Sequence, residues 1–403
     1  MRNDLGAFLA DGVNSPIPTP PNFPRRVISG RGPWLIDNNG RSYIDLWMGF
    51  GALLYGHSDA LIANAVREGL EHLHFSSIPT PLIDRVSQQL HENYTCAERV
   101  RFATTGSDAT MLAARLARHV TGRSRILRVH GGYHGGNEFP LSDGGLVKSV
   151  DVGDCVLFND LATLGAALAT REFAAFMVEP VLANNGCVPP HPTYLQQARA
   201  LCSENDTLLI FDEVVTGFRL SAGGAQSKFG VTPDLCTLSK AIAGGLPLSA
   251  LCGRADLMTD VFFPRGPVFH AGTFAGHPLA LHVASAHIDR LNSDPPYDAA
   301  SNLARIMGSH MDAEMRRLGI KGAVQREGSM LSVAFGVSAF QYGVLATNFD
   351  TRRFDIFVAE MAMAGCLMPP LPTETIFMCP AHAAVMDQIL LATTTALTAV
   401  SRA

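Results

Sequence analysis

The middle of this chain alternates short, wholly apolar runs with longer stretches of helical periodicity, and this pattern restricts the fold more than any other. Between Ala109 and Val120, for example, apolar side chains recur at helical spacing and Gly122 follows as a stop signal. Strands without polar alternation are buried on both faces, so we expect an α/β fold with helices covering a mainly parallel sheet. The predicted strands are Val100–Ala103, Ile126–His130, Val156–Phe158, Phe173–Glu179, Thr207–Asp212, Leu235–Ser239 and Ser249–Gly253.

The two ends of the chain predict a second, smaller domain. Two short apolar runs between Trp34 and Asp45 flank Asn39-Gly40, a strong turn pair, and therefore predict a hairpin. After Gly276 the patterns of helix and strand are mixed, which is typical of an α+β domain. We expect an N-terminal arm and hairpin at 1–54 that join the small domain, a large domain at 55–276, and the rest of the small domain at 277–403. The elements predicted there are helices at His277–Leu291, Asp298–Leu318 and Phe354–Ala364 and strands at Met330–Phe335 and Thr375–Met378.

Composition and charge exclude several classes of protein. The 403 residues are 47% hydrophobic and 17% charged, which excludes a disordered chain and predicts a well-buried core. The net charge of −5 argues against a nucleic-acid binder, and no apolar run is long enough to span a bilayer. The N-terminus lacks the apolar core of a secretory signal, and the eight cysteines form no C-x-x-C pair. We expect a reduced, cytoplasmic protein with no metal site and no nucleic-acid or membrane partner.

Three groups of polar residues follow predicted strands, at the sheet edge where open α/β folds place their ligands. The first runs from Thr104 to Ala109, where Gly106 and Ser107 open a predicted helix. Unpaired backbone N–H groups at a helix start, together with a hydroxyl, can cradle a phosphate. The alternative is that Ser107 or Asp108 only caps the helix, and the motif taken alone favours capping.

The other two groups are a pair of acids and a lysine. Four apolar residues run directly into Asp212 and Glu213, and a carboxylate at a buried strand end is costly unless a cation pairs with it. Lys240 follows an apolar strand and precedes a loop of small residues. A desolvated lysine titrates low and becomes an amine that can attack a carbonyl carbon. Taken singly, a solvent-facing acid and a snorkelling surface lysine are the commoner cases.

The three groups occur in chain order at the strand ends of one α/β pattern, so we interpret them together as one binding site. Pyridoxal phosphate requires a phosphate cradle, an acid for its pyridinium nitrogen and a lysine for its aldehyde. Tyr133, which follows another predicted strand, adds an aromatic ring that can stack on the pyridinium. We therefore predict pyridoxal 5'-phosphate as the cofactor. The adjacent His134, taken alone, is more typical of a packed or capping histidine.

Around these residues the sequence resembles the class III aminotransferases, which are fold-type-I pyridoxal-phosphate enzymes, and among them the glutamate-1-semialdehyde 2,1-aminomutases. The resemblance implies a large cofactor-binding domain with a mainly parallel sheet and a smaller α+β domain. It also implies a homodimer with shared active sites that takes a small-molecule amine donor and a carbonyl acceptor. The stretches that carry it are Ala103–Ala109, Gly132–Gly135, Glu179–Pro190, Phe211–Arg219, Lys228–Leu248 and Ala271–Pro278.

The resemblance implies a role for each residue of the cofactor site. Lys240 would bind the cofactor aldehyde and move protons, and Asp212 would keep the pyridine nitrogen protonated. The remaining residues would contact the ring and the phosphate. Gly106 and Ser107 would hold the phosphate, Tyr133 and Val214 would lie on the two faces of the ring, Asn184 would lie near its phenolic oxygen, and Thr273 would reach the phosphate of the neighbouring subunit.

The substrate side departs from the family pattern. The aminomutases carry an arginine in the N-terminal arm that binds a substrate carboxylate, whereas Asn14–Phe23 contains neither Arg nor Lys. Either the substrate lacks that carboxylate, or Arg25, Arg26 or Arg326 binds it, although Arg25 and Arg26 lie nearer the hairpin. Phe50 stands where the aminomutases have a tryptophan near the substrate, and Glu374 falls at their substrate-site glutamate. The loop that follows Gly135 is shortened to residues 136–150.

These departures predict an aminotransferase that moves an amino group from an amine or amino-acid donor to a ketone or aldehyde. Intramolecular amino transfer, as in the aminomutases, remains the alternative. Epimerisation also remains open, because it needs only the removal and return of a proton by Lys240. A catalytically silent cofactor-binding protein is disfavoured, since both Lys240 and Asp212 are retained. The sequence does not identify the donor or the acceptor.

Overall fold

The computed structural model describes residues 19–20, 22–136, 154–340 and 349–403. Most of the proline-rich arm and residues 137–150 of the shortened loop lie outside these ranges. The strands are β1 (Val27–Arg31), β2 (Trp34–Asp37), β3 (Ser42–Asp45), β4 (Arg99–Ala103), β5 (Arg125–Val129), β6 (Cys155–Val156), β7 (Phe173–Val178), β8 (Leu208–Glu213), β9 (Leu235–Leu238), β10 (Ser249–Gly253), β11 (Gly322–Glu327), β12 (Met330–Phe335), β13 (Cys366–Leu367) and β14 (Ile376–Phe377).

Helices connect and cover these strands, and two 3₁₀ segments, Lys240–Ala243 and Pro380–Val385, accompany them. The helices are α1 (Met48–Gly51), α2 (Ala60–His72), α3 (Pro81–Asn93), α4 (Gly106–Thr121), α5 (Leu161–Leu168), α6 (Tyr194–Glu204), α7 (Gly224–Phe229), α8 (Ala255–Met258), α9 (Pro278–Ser293), α10 (Tyr297–Arg317), α11 (Thr351–Met363) and α12 (Met386–Val400).

The largest sheet in the described ranges has the strand order β4-β10-β9-β8-β7-β5-β6. Strand β10 runs antiparallel to both of its neighbours, whereas β6, β5, β7, β8 and β9 pair in parallel. Every residue of β7 is buried, as its unbroken apolar sequence requires of a strand covered on both faces. The predicted α/β class with a mainly parallel sheet is therefore confirmed, and each predicted strand is present with small shifts at its ends.

The predicted hairpin is also present, and its turn is stabilised locally. The carboxylate of Asp37 accepts hydrogen bonds from the backbone N–H groups of Asn39 and Arg41, at 2.8 and 2.9 Å. Gly40 has a φ of 82°, which glycine adopts without strain. The resulting pair β2–β3 belongs to a sheet of order β1-β2-β3-β13, while β11, β12 and β14 form a separate sheet. The sequence patterns did not indicate β11, whose residues are only partly buried.

The packing of α9 bears on where the domains divide. This helix contacts α2, α3 and the Lys240–Ala243 segment, and its Leu281, Ala284 and Ile288 join the core of the large sheet. The packing favours a boundary after α9 rather than before it. The division at 54 and 276 stays a prediction.

One segment within the described residues, Pro380–Val400, has the length and apolar composition of a membrane-crossing helix. Its α12 part packs against α10 and α11, and Ile389, Ala396 and Leu397 are fully buried there. Part of the apolar side chains of this segment therefore packs in the core formed with α10 and α11, whereas Leu391 is exposed.

Candidate active site

A cavity of about 200 Å³ lies at the carboxyl ends of the parallel strands, where an open α/β sheet is expected to bind its ligand. It is bounded by the start of α4, the residues after β5 and β7, the end of β8 and the segment after β9. The structure therefore brings together residues that are far apart in the chain. The predicted site residues that line it are Gly106, Ser107, Tyr133, Asn184, Asp212, Val214 and Lys240.

The two acids at the end of β8 serve different parts of the structure, because successive side chains of a strand point to opposite faces. Asp212 lines the cavity, whereas Glu213 does not. The Glu213 carboxylate accepts hydrogen bonds from the backbone N–H of Ala225, at 2.6 Å, and from Thr216 Oγ1, at 3.0 Å. Glu213 thus stabilises the start of α7, and Asp212 alone is available to a ligand.

The carboxylate of Asp212 is 4% exposed and is fixed by three donors. His134 Nδ1 donates to Oδ2 at 2.8 Å, while Thr237 Oγ1 and the backbone N–H of Val214 donate to Oδ1, each at 3.1 Å. Hydrogen bonds to both oxygens hold the orientation of the carboxylate. The site therefore presents a preorganised negative charge to any cation that binds in the cavity.

Lys240 begins the 3₁₀ segment after β9 and has a φ of 45°, an uncommon backbone conformation for this residue type. Burial lowers the pKa of its amine, while the carboxylates of Glu374, Glu179 and Asp212 oppose that shift. A lower pKa makes the unprotonated amine more accessible near neutral pH. The lysine therefore has the properties of a nucleophile or a proton carrier.

Glu179, directly after β7, supports the wall of the cavity. Its Oε1 accepts a hydrogen bond from the backbone N–H of Tyr133 at 2.8 Å, and its Oε2 accepts one from Asn184 Nδ2 at 2.9 Å. Burial raises its pKa to about 7, partly offset by the nearby His134. One carboxylate therefore positions two of the predicted cofactor contacts.

The start of α4 shows that Asp108, one of the two candidate capping residues, takes part in the helix cap. Thr105 is the N-cap and forms a reciprocal capping box with Asp108, so Ser107 is not needed as a cap. Ser107 instead lines the cavity, and its Oγ accepts a hydrogen bond from the backbone N–H of Gly136 at 3.2 Å. A Cβ on Gly135, which has a φ of 100°, would overlap Ser107. This glycine-lined helix start is a cradle of the kind that binds phosphate.

The cavity as a whole fits pyridoxal phosphate. It combines a helix-start cradle, a fixed buried carboxylate and a lysine of lowered pKa, which are the groups this cofactor requires. Tyr133 and Val214 also line it, as expected of residues that would contact the ring. The individual roles assigned to these residues stay predictions.

The remaining predicted residues do not line this cavity. Glu374 is mostly buried, which raises its pKa, and the nearby Lys240 opposes that shift. Phe50 borders a separate depression together with Trp47 and is 41% exposed. Arg25 lines another depression on the outer side of the hairpin, and Thr273 is exposed on a loop that does not reach the cavity. The structure thus brings Glu374 near Lys240 but leaves Arg25 apart from it.

Sequence reasoning missed three residues that shape the site. His134 and Thr237 hold Asp212, and Glu179 holds Tyr133 and Asn184. A signal was available for Glu179, because it is a polar residue that directly follows an apolar strand. The same strand-end rule that selected Asp212 and Lys240 would have selected it.

Comparison with known proteins gives a consistent result. A family profile described as aminotransferase class-III matches residues 19–397. A glutamate-1-semialdehyde 2,1-aminomutase of Sorangium cellulosum is 37% identical over 93% of this chain and 90% of that relative. An omega-transaminase structure from Sphaerobacter thermophilus has 27% identity and a TM-score of 0.88, covering 98% of this chain and 95% of that one. A glutamate-1-semialdehyde aminomutase structure from Pseudomonas aeruginosa has 25% identity and a TM-score of 0.83, covering 93% and 88% of the two chains.

Proposed function

The chain belongs to the class III aminotransferases, and from that premise we propose that it transfers an amino group between two separate small molecules. Its cofactor is pyridoxal 5'-phosphate. The observation that carries the proposal is the cavity in which Lys240 and the fixed carboxylate of Asp212 meet the cradle at the start of α4. The donor would be an amine or an amino acid, and the acceptor a ketone or an aldehyde.

The chemistry divides between the cofactor and the protein. Bound pyridoxal phosphate supplies an aldehyde that takes up the amino group and a ring that accepts the electron pair of a broken C–H bond. Lys240 would hold the cofactor through its aldehyde and would carry a proton to and from the reacting carbon. Asp212 would pair with the ring nitrogen and keep it protonated, and its carboxylate is held by hydrogen bonds from His134 and Thr237. The lowered pKa of Lys240 suits a group that alternately accepts and returns a proton.

The other residues orient the cofactor. Gly106 and Ser107 would bind its phosphate at the start of α4, where the helix dipole favours negative charge. Tyr133 and Val214 would contact the two faces of the ring and Asn184 would lie near its phenolic oxygen, and all three residues line the cavity. Each of these residues lines the same cavity as Lys240, which supports a common ligand.

We also propose a cytoplasmic homodimer with shared sites. Thr273 is exposed on a loop that also carries Phe274, whose ring is 56% exposed. An exposed ring beside a polar residue is typical of a surface that a partner covers. In such a dimer Thr273 would bind the phosphate in the partner's cavity.

Transfer between two molecules is favoured over the aminomutase reaction by the substrate side of the site. No arginine lines the cavity among the residues that the structure describes, and Arg25 lies in a different depression. A bidentate arginine fixes the orientation of a substrate carboxylate, which an enzyme that must retain its intermediate needs.

A donor and acceptor screen tests the proposal. Amines and amino acids are added singly to the holoenzyme, and conversion of the cofactor to its amine form is followed by absorbance. We expect conversion by at least one donor and recovery of the aldehyde form on adding a carbonyl acceptor. Lys240→Ala should abolish both changes, whereas Lys228→Ala, which removes a lysine paired with Glu327, should retain them.

The alternatives give different results in the same assay. The aminomutase reaction converts glutamate-1-semialdehyde to 5-aminolevulinate without an added donor, and epimerisation exchanges a substrate proton without moving nitrogen. Efficient conversion of glutamate-1-semialdehyde that is lost in Arg25→Ala would replace our proposal with the aminomutase function. Proton exchange without nitrogen transfer would replace it with the epimerase function.

A further inference from the structure

The turn between β3 and α2 has an unusual backbone. Four consecutive residues, Met48 to Gly51, have positive φ angles of 51°, 60°, 56° and 84°. The left-handed conformation is costly for residues with a side chain, and here it includes Met48 and Phe50. Such backbone persists only where surrounding contacts hold it, and it concentrates at functional sites.

Specific hydrogen bonds hold the two ends of this turn. At its start, Asp45 Oδ1 accepts from the backbone N–H groups of Trp47 and Met48, at 2.8 and 3.1 Å. At its end, Arg219 Nη2 donates to the carbonyl oxygen of Gly51 at 2.5 Å. The second contact joins residues 168 positions apart in the chain. Arg219 therefore anchors the turn to the large domain's loop after β8.

Arg219 is an unusual residue to find at this position, because it is only 1% exposed. Its Nη1 donates to Ser329 Oγ at 3.0 Å and its guanidinium lies 4.9 Å from the centre of the Phe377 ring. None of the carboxylates in the described part of the chain forms an ion pair with it, and its Nε has no hydrogen-bond partner there. Burial lowers its pKa to about 10. A charge buried without a counter-ion is costly, so its stabilising contacts must come from the carbonyl, the hydroxyl and the ring.

The turn and Arg219 both adjoin the active site. The 48–51 turn, which comprises the residues of α1, packs against the 3₁₀ segment that begins with Lys240. It also packs against β14, which follows Glu374. The charge of Arg219 also acts on Lys240, where it adds to the effect of burial in lowering the lysine's pKa. Phe50 projects from the turn with 41% of its surface exposed and packs edge-on against Trp47, with ring centres 4.8 Å apart.

We propose that Arg219 is a positioning residue that locks the 48–51 turn in its left-handed form and thereby fixes the Phe50 ring over the depression that it borders together with Trp47. The conformational part of the inference depends only on the contacts described above. The effect on substrate rests on the proposed function and on the family resemblance, which implies that Phe50 stands at a substrate-side position. The two parts therefore call for separate measurements.

Tryptophan fluorescence tests the conformational part. The chain has two tryptophans, so a Trp34→Phe background leaves Trp47 as the reporter beside Phe50. Arg219→Lys keeps the charge but cannot donate two hydrogen bonds in the geometry of a guanidinium. We expect Trp47 emission to shift to longer wavelength and its quenching by acrylamide to increase.

Arg199→Lys is the matched control. Arg199 is also largely buried, but it pairs with Asp234, which precedes β9 at the opposite edge of the sheet from Lys240. This variant should leave the emission wavelength of Trp47 and its quenching by acrylamide unchanged. If Arg219→Lys also leaves the emission and quenching of Trp47 unchanged, the proposal is wrong. If Arg219→Lys does not fold, Ser329→Ala is the second variant, because it removes one hydrogen-bond partner of the guanidinium. It should produce a smaller shift of Trp47 emission in the same direction. No shift in that variant would contradict the proposal.

Kinetics test the substrate part. Loss of one hydrogen bond from a charged donor corresponds to roughly a tenfold to hundredfold effect, which we expect as a rise in KM with kcat and cofactor content retained. Because Arg219 acts through Phe50, its effect on KM should be largely lost in a Phe50→Ala background. Additive effects of the two substitutions would overturn the substrate part. A wild-type enzyme without transferase activity would refute the proposed function. The fluorescence of Trp47 would still test the conformational part in that case.

Discussion

At the scale of single residues, the site depends on two buried carboxylates, those of Asp212 and Glu179, which have different hydrogen-bond partners. Asp212 receives three hydrogen bonds and faces the cavity, whereas Glu179 supports the cavity wall through Tyr133 and Asn184. Ionisation of Glu179 is opposed by its burial. Substitution of Asp212 should therefore change the reaction rate, whereas substitution of Glu179 should change how stability depends on pH.

Asp212→Asn should preserve the fold and lose most activity. The neutral amide cannot keep the ring nitrogen protonated, and removing one partner of a buried charge pair costs about 3–5 kcal/mol, or roughly a hundredfold or more in rate. Steady-state kinetics with a donor found in the screen measure the loss. Thr237→Val, which removes one hydrogen bond to the same carboxylate, should reduce the rate less. An Asp212→Asn enzyme within a few-fold of wild type would show that this carboxylate does not contact the ring.

Glu179→Gln should change how the stability of the apoenzyme depends on pH. Because burial raises the pKa of Glu179 from 4.5 to about 7, the folded state binds this proton more tightly than the unfolded state. Its contribution is fully present below pH 4.5 and is lost as the pH rises to 7, by on the order of 3 kcal/mol. Urea unfolding at several pH values should therefore show that wild type loses stability relative to Glu179→Gln across this window. Glu71→Gln, on the exposed surface of α2, should run parallel to wild type; parallel curves for Glu179→Gln would contradict the expected ionisation.

At the scale of elements, the first turn of α4 combines helix capping with ligand binding. Thr105 and Asp108 satisfy each other's backbone N–H groups through the capping box, while Gly106 and Ser107 line the cavity. The two tasks are thus assigned to different residues of one motif. Weakening the cap should therefore affect cofactor affinity indirectly, through the order of this turn.

Thr105→Ala should destabilise the protein by about 1 kcal/mol, because an N-cap hydroxyl is lost. It should also weaken cofactor binding, since the backbone of the cradle becomes less ordered. Thermal unfolding and equilibrium titration of the apoenzyme with pyridoxal phosphate measure the two effects. Asp160→Ala removes a similar cap from α5, away from the cavity, and should lower stability without changing cofactor affinity. Equal cofactor affinities in both variants would show that the cap does not order the cradle.

At the scale of the whole molecule, the proposed dimer makes cofactor retention depend on protein concentration. Thr273→Ala should weaken cofactor binding by roughly 1.5–3 kcal/mol, the value of a hydrogen bond to a charged group, if Thr273 reaches the partner's phosphate. The loss should increase on dilution as dimers dissociate. Thr259→Ala, at another exposed threonine, serves as the control. Full activity in a protein that light scattering shows to be monomeric would rule out shared sites.

The sequence by itself determined the features that depend on neighbouring residues. The apolar runs specified buried strands, Asn39-Gly40 specified a turn, and the residues just after the strands marked the edge of the sheet where Asp212 and Lys240 meet. These inferences succeed because strand burial, turn geometry and helix starts follow local rules. The location of the cavity could therefore be predicted without knowledge of the packing.

Tertiary structure alone decided the features that join distant parts of the chain. Whether Asp212 or Glu213 faces the ligand depends on the orientation of β8, and the support given by His134 depends on a contact across 78 positions. The left-handed turn at 48–51 gives no signal in its own sequence, because its strain is offset by Arg219, 168 positions beyond Gly51. Such contacts form only when the whole fold closes, since no local preference of the chain encodes them.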